Sequence, residues 1–399
     1  MDRRFRQLFN EQFTPELYDW YRSELSRRLD SPFEFRLAES PLFLTDDFKQ
    51  RAVTAAQAIV DQLSEPALIE RMKAAIPVRW NTPGMDALPN LAQVDFAVVN
   101  ENGTLVPKLI ELQGFPSLTG LQVVQRDVWK DTLAQMDGLD LAWSCWYSGY
   151  DRESFLDLAR RTIVGTNDPA EVILMDIDPP RQKTAPDFKA TKLLFGVDAV
   201  DPTTLVKRGR RLFRADGTPV RRIYNRIVFD ELIAKKIELP FDYREELDVE
   251  WVPHPNWYWV WSKYSLPFLR HESVPRATFV SELDAIPEDL SRYVLKPLFS
   301  FAGGGVNVEP TRADIEAIPA SEGGNWMVQE KIEYEPALAA VDGGGVKMEI
   351  RLMFLRPDDE PKPIIAQNLV RLSRGKMLGV DFNKQFTWVG SSVGLSLSS

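Results

Sequence analysis

The stretch 'YVLKPLFSFAGGGVNV', Tyr293 to Val308, decides how this chain is read. An apolar run ends on Lys296. Pro297, two phenylalanines and the glycines Gly303, Gly304 and Gly305 follow, and apolar alternation then resumes. Glycines adopt positive φ and let backbone N–H groups approach anionic oxygens closely. A lysine on the adjoining strand adds a point charge suited to phosphate. The order of residues excludes the common Gly-rich phosphate loop, because Lys296 precedes the glycines and no Gly-Lys-Ser/Thr follows. A hairpin turn beside a surface lysine has the same spelling, so other stretches must separate the two readings.

A length of 399 residues exceeds one simple core and predicts two or three domains. Hydrophobic residues at 44% and charged residues at 27% fit a globular chain. The net charge of -10 disfavours nucleic acid and anionic membrane as partners, while leaving room for a local basic site that takes a small anion. The single cysteine, Cys145 in 'LAWSCWYSG', makes no intrachain disulfide and reads as a buried, inert thiol in a reducing, cytoplasmic setting. The start 'MDRRFRQLFNEQF' lacks the apolar stretch of a signal peptide, and no run reaches the ~18 apolar residues of a membrane span. Two histidines, His254 and His271, argue against a zinc site.

Residues 1–90 read as a helical N-terminal region. 'TDDFKQRAVTAAQAIVDQL' has Thr45 as N-cap, acids in its first turn, and apolar residues at helical spacing. From Leu91 the texture changes. 'AQVDFAVVNENGTLVPKLIELQG' reads as two strands joined at Asn-Gly, and 'SLTGLQVVQRDVWKDTLAQM' as a helix; together with the strand 'LAWSCWYS' these make a unit over 91–165. Over 166–275 helices alternate with strands, 'EVILMDID' and 'TKLLFGV' among them, which predicts an α/β layer. A hairpin is expected at Asp216-Gly217, and the tryptophans of 'VPHPNWYWVWSKYSLPFL' read as packing between units. The segment 276–399 is strand-rich: 'RYVLKPL', 'GVNVEP', 'NWMVQEKI', 'VKMEIRLMFL', 'PIIAQNLVRLS' and 'FTWVGSS'.

Several of these strands carry chemistry. 'MVQEKIEYEP' ends on Gln329, Glu330 and Lys331, which can offer backbone groups to a purine edge and a side chain to a ribose, or can simply leave the sheet for solvent. In 'KMEIRLMFL', Glu349 and Arg351 share a strand face, as do Arg371 and Ser373 in 'NLVRLSRGK'. Arginines converging from neighbouring strands suit phosphoryl oxygens; a surface ion-pair ladder with Glu349 is the alternative. Asp95 on one strand of the early hairpin faces Glu111 and Gln113 on the other, an all-oxygen set of the kind magnesium takes, or else the solvent side of an amphipathic strand.

Taken together, these stretches resemble the ATP-grasp superfamily, and more narrowly its circularly permuted branch, which contains the synthetase domain of glutathionylspermidine synthase. 'VDFAVVNENGTLVPKLIELQGFPS', 'YVLKPLFSFAGGGV', 'VQEKIE' and 'AQNLVRLSRG' carry the resemblance, and 'WSKYSLPFL' resembles the link into the grasp domain. The resemblance implies an α/β (α+β) ATP-grasp fold in permuted order, with the metal hairpin in 91–165, a pre-ATP-grasp-like layer in 166–275 and the nucleotide-binding region in 276–399. It implies that Lys296 binds ATP phosphates under a flap of Gly303, Gly304 and Gly305. Gln329, Glu330 and Lys331 would line the adenine and ribose end. Arg371 and Arg351 would serve the transferring phosphate, and Asp95, Glu111 and Gln113 would hold magnesium. Gln113 stands where the family has asparagine, Gln93 where it has arginine, and no amidase domain corresponds. The implied function is an ATP-dependent carboxylate–amine ligase acting on small-molecule or peptide substrates through an acyl phosphate. The alternatives are phosphotransfer to a hydroxyl and a non-catalytic nucleotide-binding regulator. A competing metal pair is Asp381 and Asn383 in 'GVDFNKQ', and Arg221, Arg222 and Arg226 offer a carboxylate contact or a solvated strand face.

Overall fold

The computed structural model describes residues 1–299, 305–375, 383 and 385–398. The N-terminal region is helical: Arg3–Gln12, Pro15–Leu29, Asp46–Leu63 and Pro66–Met72. Thr45 caps the third helix by accepting the Phe48 N–H at 3.3 Å, and Asp46 and Asp47 sit at its positive end. The buried residues Phe48, Ala52, Ala56, Ile59 and Leu63 then form one stripe facing the core.

The main sheet draws on both ends of the sequence. Leu91–Glu101 and Thr104–Gln113 form the expected hairpin, with Asn102 and Gly103 both at positive φ, the conformation a two-residue primed turn requires. Leu91–Glu101 pairs on its other edge with Gly345–Leu355, which pairs in turn with Ile364–Ser373 and then Gly390–Ser392, all antiparallel. A second, parallel sheet holds Glu250–Val252, Arg222–Asn225, Val172–Met175 and Asp198–Val200. A third places Trp326–Glu330 between Ala277–Phe279 and Tyr293–Pro297. Among the described residues no helix is long and apolar enough to cross a membrane.

Three sequence expectations are corrected. 'TKLLFGV' is mostly helical: it ends the helix Ala185–Phe195, which has a proline in its first turn and Gly196 in the left-handed conformation at its end. Its apolar run covers two helix faces, which is why Leu193 is exposed while Phe195 is buried. 'GVNVEP' forms no strand, only one bridge between Asn307 and Leu295. 'LAWSCWYS' contributes the short strand Trp143–Ser144 and a single bridge from Trp146 to Gln367.

Trp257, Trp259 and Trp261 are buried, as packing residues would be. The Gly114 N–H donates to the Trp261 carbonyl at 2.7 Å, which fastens the end of the early hairpin to this tryptophan segment. A Cβ on Gly114 would lie 2.6 Å from the Trp257 carbonyl oxygen and 3.0 Å from two tryptophan Cβ atoms. Backbone cannot rotate away as a side-chain tip can. Gly114→Ala is therefore expected to cost about 1–3 kcal/mol, read as a lowered urea midpoint with an unchanged slope.

Candidate active site

The register of the main sheet collects charged residues onto one face. Arg351 lies directly opposite Asp95, Glu349 opposite Arg371, Asp95 opposite Glu111, and Gln93 opposite Gln113. Arg351 grips Asp95 with two parallel bonds, Nε to Oδ1 and Nη2 to Oδ2, each 2.6 Å. Arg371 Nη2 donates to the same Asp95 Oδ2 at 2.6 Å and lies 2.8 Å from Glu349 Oε2. Glu349 is also held by the Tyr334 hydroxyl, which donates to Oε1 at 2.6 Å. The strand pairing thus brings Asp95, Glu349, Arg351 and Arg371 into one network, with Asp95, Glu349 and Arg351 buried.

Burial pushes the Asp95 carboxyl up, but the Arg351 and Arg371 guanidiniums outweigh it and hold the group below the usual carboxylate range. Glu349 goes the other way: burial, reinforced by the negative charge of Asp95, raises it against the pull of Arg371. Two carboxylates on one face are thereby pushed apart in acidity.

Lys296 projects from the third sheet toward this face. Its Nζ donates to Gln329 Oε1 at 2.7 Å and approaches the Ile110 carbonyl at 3.5 Å. Among the described residues it makes no ion pair. Burial lowers it to about 8, with Glu111 and Glu349 pulling upward and Lys263 pushing downward. Gln329 is itself buried, and its Nε2 has no partner among the described residues. A buried cation held by a neutral amide, beside an orphaned amide donor, is chemically suited to an incoming anion. The residues present therefore fit a phosphate-bearing nucleotide. Glu330 gives its carboxylate to the Arg276 N–H at 3.0 Å, and Lys331 is exposed with its N–H on the Arg292 carbonyl. Gly305 is left-handed at φ 72°, while Gly303 and Gly304 lie outside the described residues.

Of the three side chains expected to hold magnesium, Asp95 does not fit it in this arrangement. Both Asp95 oxygens are taken by guanidiniums, which put positive charge where a cation would sit. Glu111 has Lys263 Nζ at 3.9 Å, and among the described residues no cluster of three metal-binding side chains forms. The competing pair is no better placed. Asn383 Oδ1 accepts from Ser373 Oγ and from the N–H groups of Arg374 and Gly375, so it fastens the end of a strand. Asp381 lies outside the described residues.

Sequence reasoning missed Tyr334 and Lys263, each sitting inside a quoted motif but lacking any spacing signal of its own. Arg222 and Arg226 are neither solvated nor free to take a carboxylate. Arg222 is buried and bonds Glu250, Asp358 and the carbonyls of Thr162 and Ile163. Arg226 pairs with the buried Asp187. Arg221 is exposed. Cys145 is buried and its thiol raised by burial, as expected of an inert thiol.

No family model matches the chain, and no curated protein matches it. Among solved structures it is similar to a glutathione synthetase-like effector, GSS30, from Globodera pallida in its apo form. The two share a fold. The TM-score is 0.58 over 100% of this chain and 98% of that one, at 14% identity. That likeness agrees with the mixed α/β class expected from the sequence.

Lys296 generates a stability prediction. In the unfolded chain it titrates near 10.5, and in the fold near 8. Between those values the unfolded chain keeps a proton that the folded chain has lost, so stability rises with pH there. At pH 7 both states are charged and the fold bears the burial cost in full. Lys296→Met is expected to stabilise the protein at pH 7 by about 3 kcal/mol, at ~1.4 kcal/mol per unit. Denaturant titrations at pH 7 and pH 10 should show that advantage shrinking at the higher pH.

Proposed function

We propose that the chain is an ATP-dependent ligase that joins a carboxylate to an amine. The observation that carries this reading is Lys296, a buried cation held, among the described residues, by a neutral amide and a carbonyl, facing a sheet that presents Arg371. The fold shared with a glutathione synthetase-like protein supports it. In the reaction, the γ-phosphoryl group moves to a carboxylate oxygen and ADP leaves. The amine nitrogen then attacks the acyl carbon, phosphate departs and the amine gives up a proton. Such transfer needs positioning and charge neutralisation more than a covalent nucleophile.

Each residue has a part in this reading. Lys296 takes the phosphates and Gln329 Nε2 adds a neutral donor. Arg371 neutralises the charge that develops during transfer. Arg351 holds Asp95, and Asp95 with Glu349 fixes the Arg371 fork. Gln329, Glu330 and Lys331 border the nucleoside. A second reading, a nucleotide-binding protein that does not catalyse, is favoured by the arginine clamp on Asp95, which leaves no room for a metal on that carboxylate.

Incubation with ATP, magnesium and a pool of amino acids and short peptides tests both. The ligase reading expects steady ADP release and, with hydroxylamine as acceptor, a hydroxamate. Nucleotide binding without turnover would select the second reading, and ADP release with no hydroxamate would point to a hydroxyl acceptor. Arg371→Lys keeps the charge but loses the fork. It is expected to lower kcat about 100-fold while nucleotide affinity changes far less.

A further inference from the structure

The arginine network opens into a cavity of about 480 Å³ whose lining includes Arg351 and Arg371. Three polar groups on that lining have buried atoms with no partner among the described residues: Arg371 Nε, Arg36 Nε and Ser391 Oγ. Ser391 is 8% exposed and Arg371 carries its two carboxylate contacts on Nη2 alone, so its Nε edge is unused. Three such groups around one cavity can take an acceptor. Charge agrees. Five cationic side chains line the space, counting Arg22 and Lys183, against the single carboxylate of Glu34. Behind them Asp95, Glu349, Glu39 and Asp19 serve as counter-ions, so the cationic excess belongs to the lining itself.

The remaining wall is mostly apolar, with Ser117, Thr184 and Asn383 among its residues. Phe33 and Phe35 meet edge to face at 5.4 Å, and Tyr18 and Leu369 continue the surface. The larger cavity, of about 760 Å³, contrasts with it: its Arg222 is already paired with Glu250 and Asp358. A site with hydrogen-bond donors at one end and aromatic rings at the other selects an amphipathic anion.

We propose that this cavity binds the acid substrate, and that the acid is a monocarboxylate with an aromatic or bulky apolar side group. Its carboxylate lies on the free edge of Arg371 with Ser391 Oγ as a further donor, and its apolar group packs on Phe33 and Phe35. This deepens the ligase reading and rests on it only for the word substrate; the binding site stands on the cavity alone.

The test uses the full chain without nucleotide. Calorimetric titration with 3-phenylpropionate is compared with propionate and with neutral 3-phenylpropionamide. Binding at least ten-fold tighter than either comparison compound is expected. Phe35→Ala should remove most of the preference over propionate, and Ser391→Ala should weaken 3-phenylpropionate a few-fold, with unchanged melting confirming the fold of each. Lys296→Met should abolish ATP binding and leave 3-phenylpropionate binding intact, so failure of the ATP reading and failure of this one are told apart. Equal affinity for acid and amide, equal affinity for propionate, or no binding up to the solubility limit overturns the proposal.

Discussion

A carboxylate with almost no access to water, Asp95, sits between two arginines that arrive more than 250 residues later in the chain, and the sheet is organised around that fact. A lone buried charge costs several kcal/mol, and removing one partner of a buried pair costs about 3–5 kcal/mol. Asp95 can therefore be buried only when Gly345–Leu355 and Ile364–Ser373 are already alongside it. The cluster also fixes register. A slip of one residue would turn Asp95 to the face now occupied by Val94 and Phe96, which are fully buried, and would set apolar side chains against the guanidiniums. The network adds little net stability over an apolar filling, but it makes wrong alignments expensive.

How much of this was legible follows from the range of each interaction. The Thr45 cap, the Asn102-Gly103 turn and the pairing of Glu349 with Arg351 on one face depend on neighbours within a few residues, and the sequence states them directly. The convergence of Arg351 and Arg371 was readable because both lie on strands long enough to show period-two patterning. What the sequence hid was which carboxylate would meet them. Asp95 and Glu111 have the same oxygen chemistry, and only three-dimensional register makes one an arginine counter-ion. The helix over Ala185–Phe195 was masked by an apolar run that crosses two of its faces. Arg222 and Arg226 were unreadable for a similar reason, since their partners Asp358 and Asp187 lie on other elements.

The two kinds of cation on the site differ in how they are balanced. Arg371 shares its charge with Asp95 and Glu349 through a single nitrogen, Nη2, and so has little field left to spend at that end. Among the described residues Lys296 bonds the Gln329 amide and a distant carbonyl. A polyanion approaching the face gains most at Lys296, where it completes a group the fold has left uncompensated. It gains less at Arg371 unless it comes to the free Nε edge. The fold tolerates Lys296 at a cost to its own stability, the pattern expected where a residue is kept for what it binds.

That asymmetry also separates the ligands in space. An anion drawn to Lys296 and an anion drawn to the Nε edge of Arg371 would meet different groups of the site, without either displacing Asp95. The clamp would then act as a rigid support: Arg351 holds Asp95 in two bonds, Asp95 and Glu349 hold Arg371, and Arg371 lines the cavity. Lysine at position 371 would keep the charge but, having no second edge, could not be pinned by two carboxylates and still present a donor to the cavity. The geometry of one arginine would thereby connect the compartment assigned to phosphate with the cavity assigned to the acid.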